Sequence, residues 1–477
     1  MSGRRVASSV AWGAGGAAGQ ALFQLLVFIV LARTLGPGAF GVVAIATAVI
    51  DLLNFIGRGG ITEVLVQRRE LEPRAMNAGF LASLICGAVL TLALIATAPL
   101  LADAFDTPEL RGVMTALAPI CLIYAAGAVY EGILRHAFQF KQLALRNTTS
   151  TVVSGLIALA LALTGWGVWA LVAQRLVGTV WSLAAMMVAT RWLPRLNFEW
   201  RELVTQLRQG SAVALSSVLG AGNQRIVDLV VGYFLGPVLL GYLRIAWRML
   251  DLLFEIVVRP IGNVSLTTLP KARHEGRSLE GEYLGLIRYA SVAIIPMFLG
   301  LSAVALDLIP LVFGRQWQTS AQLLAILCFI GLFTPLTYFR SSALIAQGAY
   351  RHVFLVNLGE FFLSLLCALA FTPFGLISAT IGYFVRAAVA APVTMLYLEK
   401  VAGISARRCL RAALPAAGAA GCMLVVTHAL RLSLPMGIDP AWRAATLIAA
   451  GAMAYAAALL LTDRKLLSDV ARLRARA

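Results

Sequence analysis

The sequence predicts an all-α integral membrane protein of about 14 transmembrane helices: two parallel six-helix lobes related by a pseudo-two-fold axis, then two C-terminal helices. Three observations carry this reading. The composition is too apolar for a soluble domain, apolar stretches of spanning length recur with basic residues gathered on one side of them, and a segment near residue 40 returns 200 residues later.

The 477 residues are 60% hydrophobic and 13% charged. A soluble domain carries roughly 25% charged residues, and a soluble core cannot bury so large an apolar fraction. The formal net charge of +17 would suggest nucleic acid in a soluble chain. Here the positive-inside bias of membrane proteins accounts for it, and no nucleic-acid partner is expected. The four lysines, Lys141, Lys271, Lys400 and Lys465, never follow a glycine, so the chain has no Walker A loop and no ATPase of its own. The six cysteines form no C-x-x-C pair, and the four histidines lie far apart, so no metal motif can be assembled.

Crossing hydrocarbon takes roughly 20 mostly apolar residues. Such stretches fall at 10–32, 38–57, 76–100, 112–134, 147–166, 168–189, 211–234, 238–260, 286–312, 319–345, 352–372, 374–398, 410–430 and 441–462. The links are short, as at Thr372-Pro373-Phe374-Gly375, and none could hold a soluble domain. With the N-terminus inside, 27 Arg and Lys fall on cytoplasmic segments, five on external ones (Arg33, Arg111, Arg315, Arg431, Arg443) and seven within spans. That asymmetry sets the orientation, with both termini cytoplasmic. The apolar run after Arg4-Arg5 is too long for a signal-peptide core and is read as the first span.

Leu35-Gly36-Pro37 with Gly41 recurs as Leu235-Gly236-Pro237 with Gly241, and Asp51-Leu52-Leu53 recurs as Asp251-Leu252-Leu253. The gapless alignment from 35 to 61 holds 11 identities in 27 columns. The second span thus matches the eighth, an even number of crossings later, which makes the repeat parallel. The expected organisation is an N-lobe over 1–208, a C-lobe over 209–400, and an addition over 401–477 with two spans and a basic cytoplasmic tail. Two parallel lobes without an ATPase point to a transporter working by alternating access, its substrate path between the lobes.

Charge inside spans is costly and marks cavities or partners. The eighth span carries Arg244, Arg248, Asp251, Glu255 and Arg259 at helical spacing on one face. The second carries Asp51, Asn54 and Arg58; the seventh Arg225 and Asp228; the first Gln20 and Gln24. Glu131, Arg175, Arg340, Glu360 and Arg386 extend the set. A guanidinium keeps its charge and grips phosphate with two parallel hydrogen bonds, while amides and carboxylates suit sugar hydroxyls. The alternative is structural: ion pairs within a helix that permit insertion, with Arg58 and Arg259 reaching the inner interface.

The run Leu31-Ala32-Arg33-Thr34-Leu35-Gly36-Pro37-Gly38-Ala39-Phe40-Gly41 resembles the first external turn of bacterial polysaccharide flippases. So do Gly59-Gly60-Ile61-Thr62-Glu63-Val64-Leu65-Val66-Gln67-Arg68, Phe313-Gly314-Arg315-Gln316-Trp317 and Ala346-Gln347-Gly348, in that order. The chain resembles the WzxC-type oligosaccharide flippases of the multidrug/oligosaccharidyl-lipid/polysaccharide superfamily. The resemblance implies an undecaprenyl-diphosphate-linked oligosaccharide moved from the inner to the outer leaflet of the bacterial cytoplasmic membrane for exopolysaccharide, O-antigen or capsule synthesis. It also implies polymerase and export machinery as neighbours and no cofactor; a coupling ion, H+ or Na+, is left open. The competing readings are an ion-coupled small-molecule exporter or a lipid II flippase of the same superfamily, and a membrane glycosyltransferase, polymerase or ligase. Against the last, every external loop is short and no paired-carboxylate motif lies outside the spans.

Overall fold

The computed structural model describes residues 3–57, 60–195, 199–435 and 439–462. Arg58 and the basic tail 463–477 lie outside the described residues. Every described element is helical, and each apolar stretch falls on helix. Among the described residues, ten helices are long and apolar enough to cross a membrane, or eleven if the bent pair Arg315–Leu332 and Thr334–Ala346 is one crossing. The difference from fourteen has local causes. The helix Phe140–Leu163 opens with Lys141, Arg146, Asn147 and a Thr/Ser run, and the stretches 211–234 and 238–260 follow each other without a loop, divided by a kink at Gly236. The first stretch, 10–32, lies partly outside the residues whose side chains are described.

The chain divides into two compact units, Met1–Gly241 and Tyr242–Ala477. The first contains α1 (Gly3–Thr34), α2 (Pro37–Gly57), α3 (Ile61–Gln67), α4 (Pro73–Ala104), α5 (Pro108–Leu117), α6 (Pro119–His136), α7 (Phe140–Leu163), α8 (Val168–Thr190) and the first part of α9 (Trp200–Leu253). Prolines 37, 73, 108 and 119 open their helices, where the missing N–H costs no hydrogen bond. Small residues set the spacing. Gly87 faces the Ala125 methyl and the Cys121 carbonyl, so α4 and α6 approach more closely than larger side chains would allow. Between α7 and α8 the Ser150 hydroxyl donates to the Gly178 carbonyl at 2.7 Å.

A buried cluster of Ile61, Leu65, Ala78, Ala82, Val129 and Leu203 ties α3, α4 and α6 to the start of α9. Beside it, Glu202 pairs with Arg68, and the buried Gln206 amide donates to the Ala75 carbonyl and to Glu202, both at 2.8 Å. Each hydrogen bond satisfies a polar group that would be costly to bury alone.

Gly236 (φ 77°, ψ 173°) breaks α9 into two legs, a backbone state open to glycine, and Pro237 starts the second leg. This turn meets the Gly36-Pro37 turn face to face. A Cβ on Gly41 would collide with the Pro237 carbonyl, and one on Gly241 with the Pro37 carbonyl. The two glycines sit 200 residues apart and occupy the same place in the two copies of the motif.

The second unit begins in the second leg of α9, passes a π-helical turn at Phe254–Val258 and continues as α10 (Arg259–His274). Pro260 explains the widened turn: its ring would clash with the carbonyl four residues back. There follow α11 (Leu279–Phe313), α12 (Gln318–Leu327), α13 (Thr334–Thr337), α14 (Arg340–Ala346), α15 (Tyr350–Phe371), α16 (Leu376–Ala402), α17 (Ala406–Ser433) and α18 (Pro440–Thr462). The stretch read as one span at 319–345 is instead broken by a 3-10 segment, Cys328–Leu332, and bent by 44°. Pro335 supplies the break, since it cannot donate into the preceding turn. The last two helices dock on α11: Ile295 and Leu299 pack with Ala416, Ala420 and Met423, and the Tyr455 hydroxyl donates to the Val292 carbonyl at 2.9 Å.

Candidate functional site

In the first unit, three helices bring two acids and two arginines together. Asp51 on α2 receives Arg175 of α8 on one carboxylate oxygen and Arg225 of α9 on the other, the latter at 3.0 Å. Arg225 also reaches Asp228 one turn along its own helix, at 3.5 Å. Asp228 is fully buried and Asp51 largely so, while the Arg175 side chain stays 36% exposed and that of Arg225 26%. Burying a carboxylate in a span requires a paired cation, and the cluster provides one arginine for each acid. Its guanidiniums also have capacity left: the Arg175 Nε is buried without a hydrogen-bond partner among the described residues. One turn beyond Asp51, Asn54 is buried, and neither amide atom has a hydrogen-bond partner among the described residues.

The other residues singled out on the first span are placed differently. The Gln20 amide donates to Thr151 at 3.2 Å and accepts from Thr148 at 3.1 Å, so it is engaged with α7. Gln24 is exposed. Glu131 is buried and pairs with Arg135 and, at 3.6 Å, with Arg146. This is a separate group on α6 and α7.

In the second unit, Arg244, Arg248 and Asp251 are half-buried and each engages a neighbour. Glu255 sits in the π turn and pairs with the exposed Arg259 at 3.6 Å. Arg340, Glu360 and Arg386, from three helices, converge on a cavity of about 290 Å3. Arg340 binds Glu360, and Arg386 contacts the Ser364 hydroxyl at 3.4 Å. Thr334, Thr337, Tyr338 and Ser341 add hydroxyls to the wall, and Phe254 and Phe333 add aromatic surface. Among the described residues no three His, Cys, Asp or Glu side chains stand close enough to hold a metal.

Sequence reasoning named all of these charges but grouped them by helix. It put Asp51, Asn54, Arg225 and Asp228 with the stripe of the eighth span on one polar cavity; the structure pairs Asp51 with Arg225 directly. It missed that Arg175 completes the group. No spacing in α8 signals this, because Arg175 is the one charged residue of that helix and its partner comes from another helix.

The family described as polysaccharide biosynthesis protein matches residues 30–322. Among curated proteins, the succinoglycan biosynthesis transport protein ExoT of Rhizobium meliloti (strain 1021) is 25% identical over 337 residues, 70% of this chain and 68% of that protein. The lipopolysaccharide biosynthesis protein WzxC of Escherichia coli (strain K12) is 22% identical over 71% of this chain and 69% of its own length. Among solved structures, the lipid II flippase MurJ in an inward closed conformation superposes with a TM-score of 0.81 at 13% identity, covering 96% of this chain and 99% of that one. An inward-facing multidrug resistance MATE family transporter gives 0.62 at 19% identity, covering 79% and 93%. The fold is therefore that of a multi-pass membrane transporter.

Proposed function

Since the chain belongs to the polysaccharide biosynthesis protein family, we propose that it is a flippase for undecaprenyl-diphosphate-linked oligosaccharide repeat units. It moves them from the inner to the outer leaflet of the bacterial cytoplasmic membrane, with both chain termini in the cytoplasm. The family match supports the substrate class, together with two relatives whose names place them in succinoglycan and lipopolysaccharide biosynthesis. The observation that carries the chemistry is the set of arginines held by acids on membrane-crossing helices.

A diphosphate entering hydrocarbon must have its charge met by fixed donors. In the resting cluster Asp51 and Asp228 occupy the Arg225 guanidinium, standing where phosphate oxygens would bind. The 3.5 Å contact to Asp228 is the weaker of the two and the one an incoming phosphate displaces first. Arg248, on the stripe of α9 in the second unit, is a separate candidate cation. The lobes expected at 1–208 and 209–400 then alternate access by rocking against each other, and residues 401–477 complete the chain. No bond in the cargo is made or broken, so the activity is transport and not catalysis.

The test is polymer yield per unit of membrane protein in cells carrying Arg225→Ala or Arg248→Ala, with lipid-linked intermediates quantified alongside. Both variants insert but export little polymer, and lipid-linked repeat units accumulate. Lysine at either position restores export only in part, because a point charge replaces a two-pronged donor. Normal yield in both alanine variants would leave these arginines as structural ion-pair partners.

A further inference from the structure

The cavity of the second unit has a composition of its own. Three charged side chains reach it, two arginines and one glutamate, so it carries one surplus positive charge. The cluster of the first unit, by contrast, is balanced. Arg340 is committed: one of its terminal nitrogens binds Glu360, and the other lies 3.5 Å from the Thr337 carbonyl. Arg386 is not. The Nε atoms of both arginines are buried without a hydrogen-bond partner among the described residues, but Arg386 has only the long contact to Ser364, and among the described residues no carboxylate lies within ion-pair distance of it. Arg386 is the eleventh residue of α16, about 15 Å along a helix rising about 1.5 Å per residue. That puts it in the hydrocarbon zone, where an uncompensated guanidinium is costly and marks a ligand or ion path.

The rest of the wall narrows the ligand. Thr334, Thr337, Ser341, Phe254 and Phe333 surround the charges. The Thr334 and Thr337 hydroxyls donate to the Ile330 and Phe333 carbonyls and keep their oxygens as acceptors. Hydroxyl acceptors beside aromatic surface suit a pyranose, and the Glu360 carboxylate can accept from sugar hydroxyls. That carboxylate also works against a diphosphate, whose multiple charge one surplus guanidinium cannot offset. A volume of about 290 Å3 lies at the lower edge of the roughly 300–1,000 Å3 of small-molecule pockets, enough for one sugar residue and not for an oligosaccharide.

We propose that this pocket, with Arg386 as its anchoring donor, binds the carboxylate of a single acidic sugar in the cargo, which makes the transported oligosaccharide a uronate-bearing one. The inference rests on the flippase reading above and adds the class of sugar to it. The Arg386 fork takes the two carboxylate oxygens in parallel, and the Glu360–Arg340 pair orients the ring hydroxyls.

The experiment uses the full chain in proteoliposomes with two synthetic polyprenyl-diphosphate-linked disaccharides that differ in one group, a glucuronate against a glucose at the terminal sugar. The wild-type protein moves the acidic lipid about tenfold faster or more, the gain expected of one charge-assisted contact. Arg386→Gln collapses that ratio toward one, and Arg386→Lys gives an intermediate ratio. A second measurement is independent of transport. Free glucuronate, and not glucose, slows maleimide labelling of Ser341→Cys in detergent, read at that residue by mass spectrometry. A wild-type protein that moves neither lipid overturns the flippase reading, while glucuronate protection of position 341 in the same protein still upholds the pocket. A wild-type preference that survives Arg386→Gln, equal loss of both lipids in that variant, or equal labelling of position 341 with either sugar overturns the proposal for the pocket.

Discussion

Replacing Asp51 by alanine tests the ion-pair cluster of the first unit most directly. Asp51 is the carboxylate partner of Arg175 among the described residues, whereas Arg225 keeps Asp228 at 3.5 Å when Asp51 is removed. The change therefore strands one arginine. Removing one partner of a buried pair costs about 3–5 kcal/mol, and the 36% exposure of Arg175 puts the loss near the lower end, at about 3 kcal/mol. Arg175→Ala is milder, at about 1 kcal/mol, because Asp51 then still holds Arg225 at 3.0 Å. In the double variant no stranded arginine is left, so its loss falls short of the sum of the two single losses by about 2 kcal/mol. The assay is thermal unfolding of the detergent-purified protein, followed by size-exclusion fluorescence. For a unit ending at Gly241, about 3 kcal/mol corresponds to a fall in Tm of roughly 6–12 °C. A coupling below about 0.5 kcal/mol, or a double variant worse than the sum, would refute the claim that Asp51 neutralises Arg175.

Two further outcomes follow from the turns and the topology. Gly41→Ala drives a methyl group into the Pro237 carbonyl and should cost about 1–3 kcal/mol of overpacking. A Gly38→Cys/Val238→Cys pair, at positions where a Cβ on 38 lies 3.7 Å from Val238, should cross-link in the parent chain and do so poorly once Gly41→Ala is added. Equal cross-linking in both would show that the turns tolerate the methyl. Cysteines placed near Thr107 and Gln318 should react with impermeant thiol reagents from outside intact cells, and cysteines near Glu70 and Gly276 should be protected. Labelling at Glu70 would invert the orientation.

Much of the helical framework was legible because the bilayer imposes a simple rule on sequence: stretches of apolar residues, short links, and basic residues on one side. The rule says where helices lie, not how they are broken. Pro335 and Pro260 were visible in the chain, yet the 3-10 segment at Cys328–Leu332 and the π turn at Phe254–Val258 depend on what packs there, as with Gly331 pressed against Phe298. The candidate site divides in the same way. The sequence placed Arg225 and Asp228 on one span, and the structure shows Arg225 bridging Asp228 and Asp51 of a distant segment. Arg340, Glu360 and Arg386 were noted as isolated intramembrane charges, and their meeting in one cavity is a tertiary fact that no local pattern encodes. Gln20 shows the converse. Its four-residue spacing from Gln24 suggested a shared polar face, but its amide satisfies threonines of α7.

The paired Gly-Pro turns are reciprocal in their packing. Gly41 rests on Pro237 and Gly241 on Pro37, so the contact exchanges its two sides when each residue is replaced by its counterpart 200 positions away. Such reciprocity is the mark of an isologous interface, the kind formed by two identical subunits around a two-fold axis. Within one polypeptide the two sides have separate codons, so each glycine can be replaced alone, and a methyl group at either one meets the carbonyl of the opposite proline.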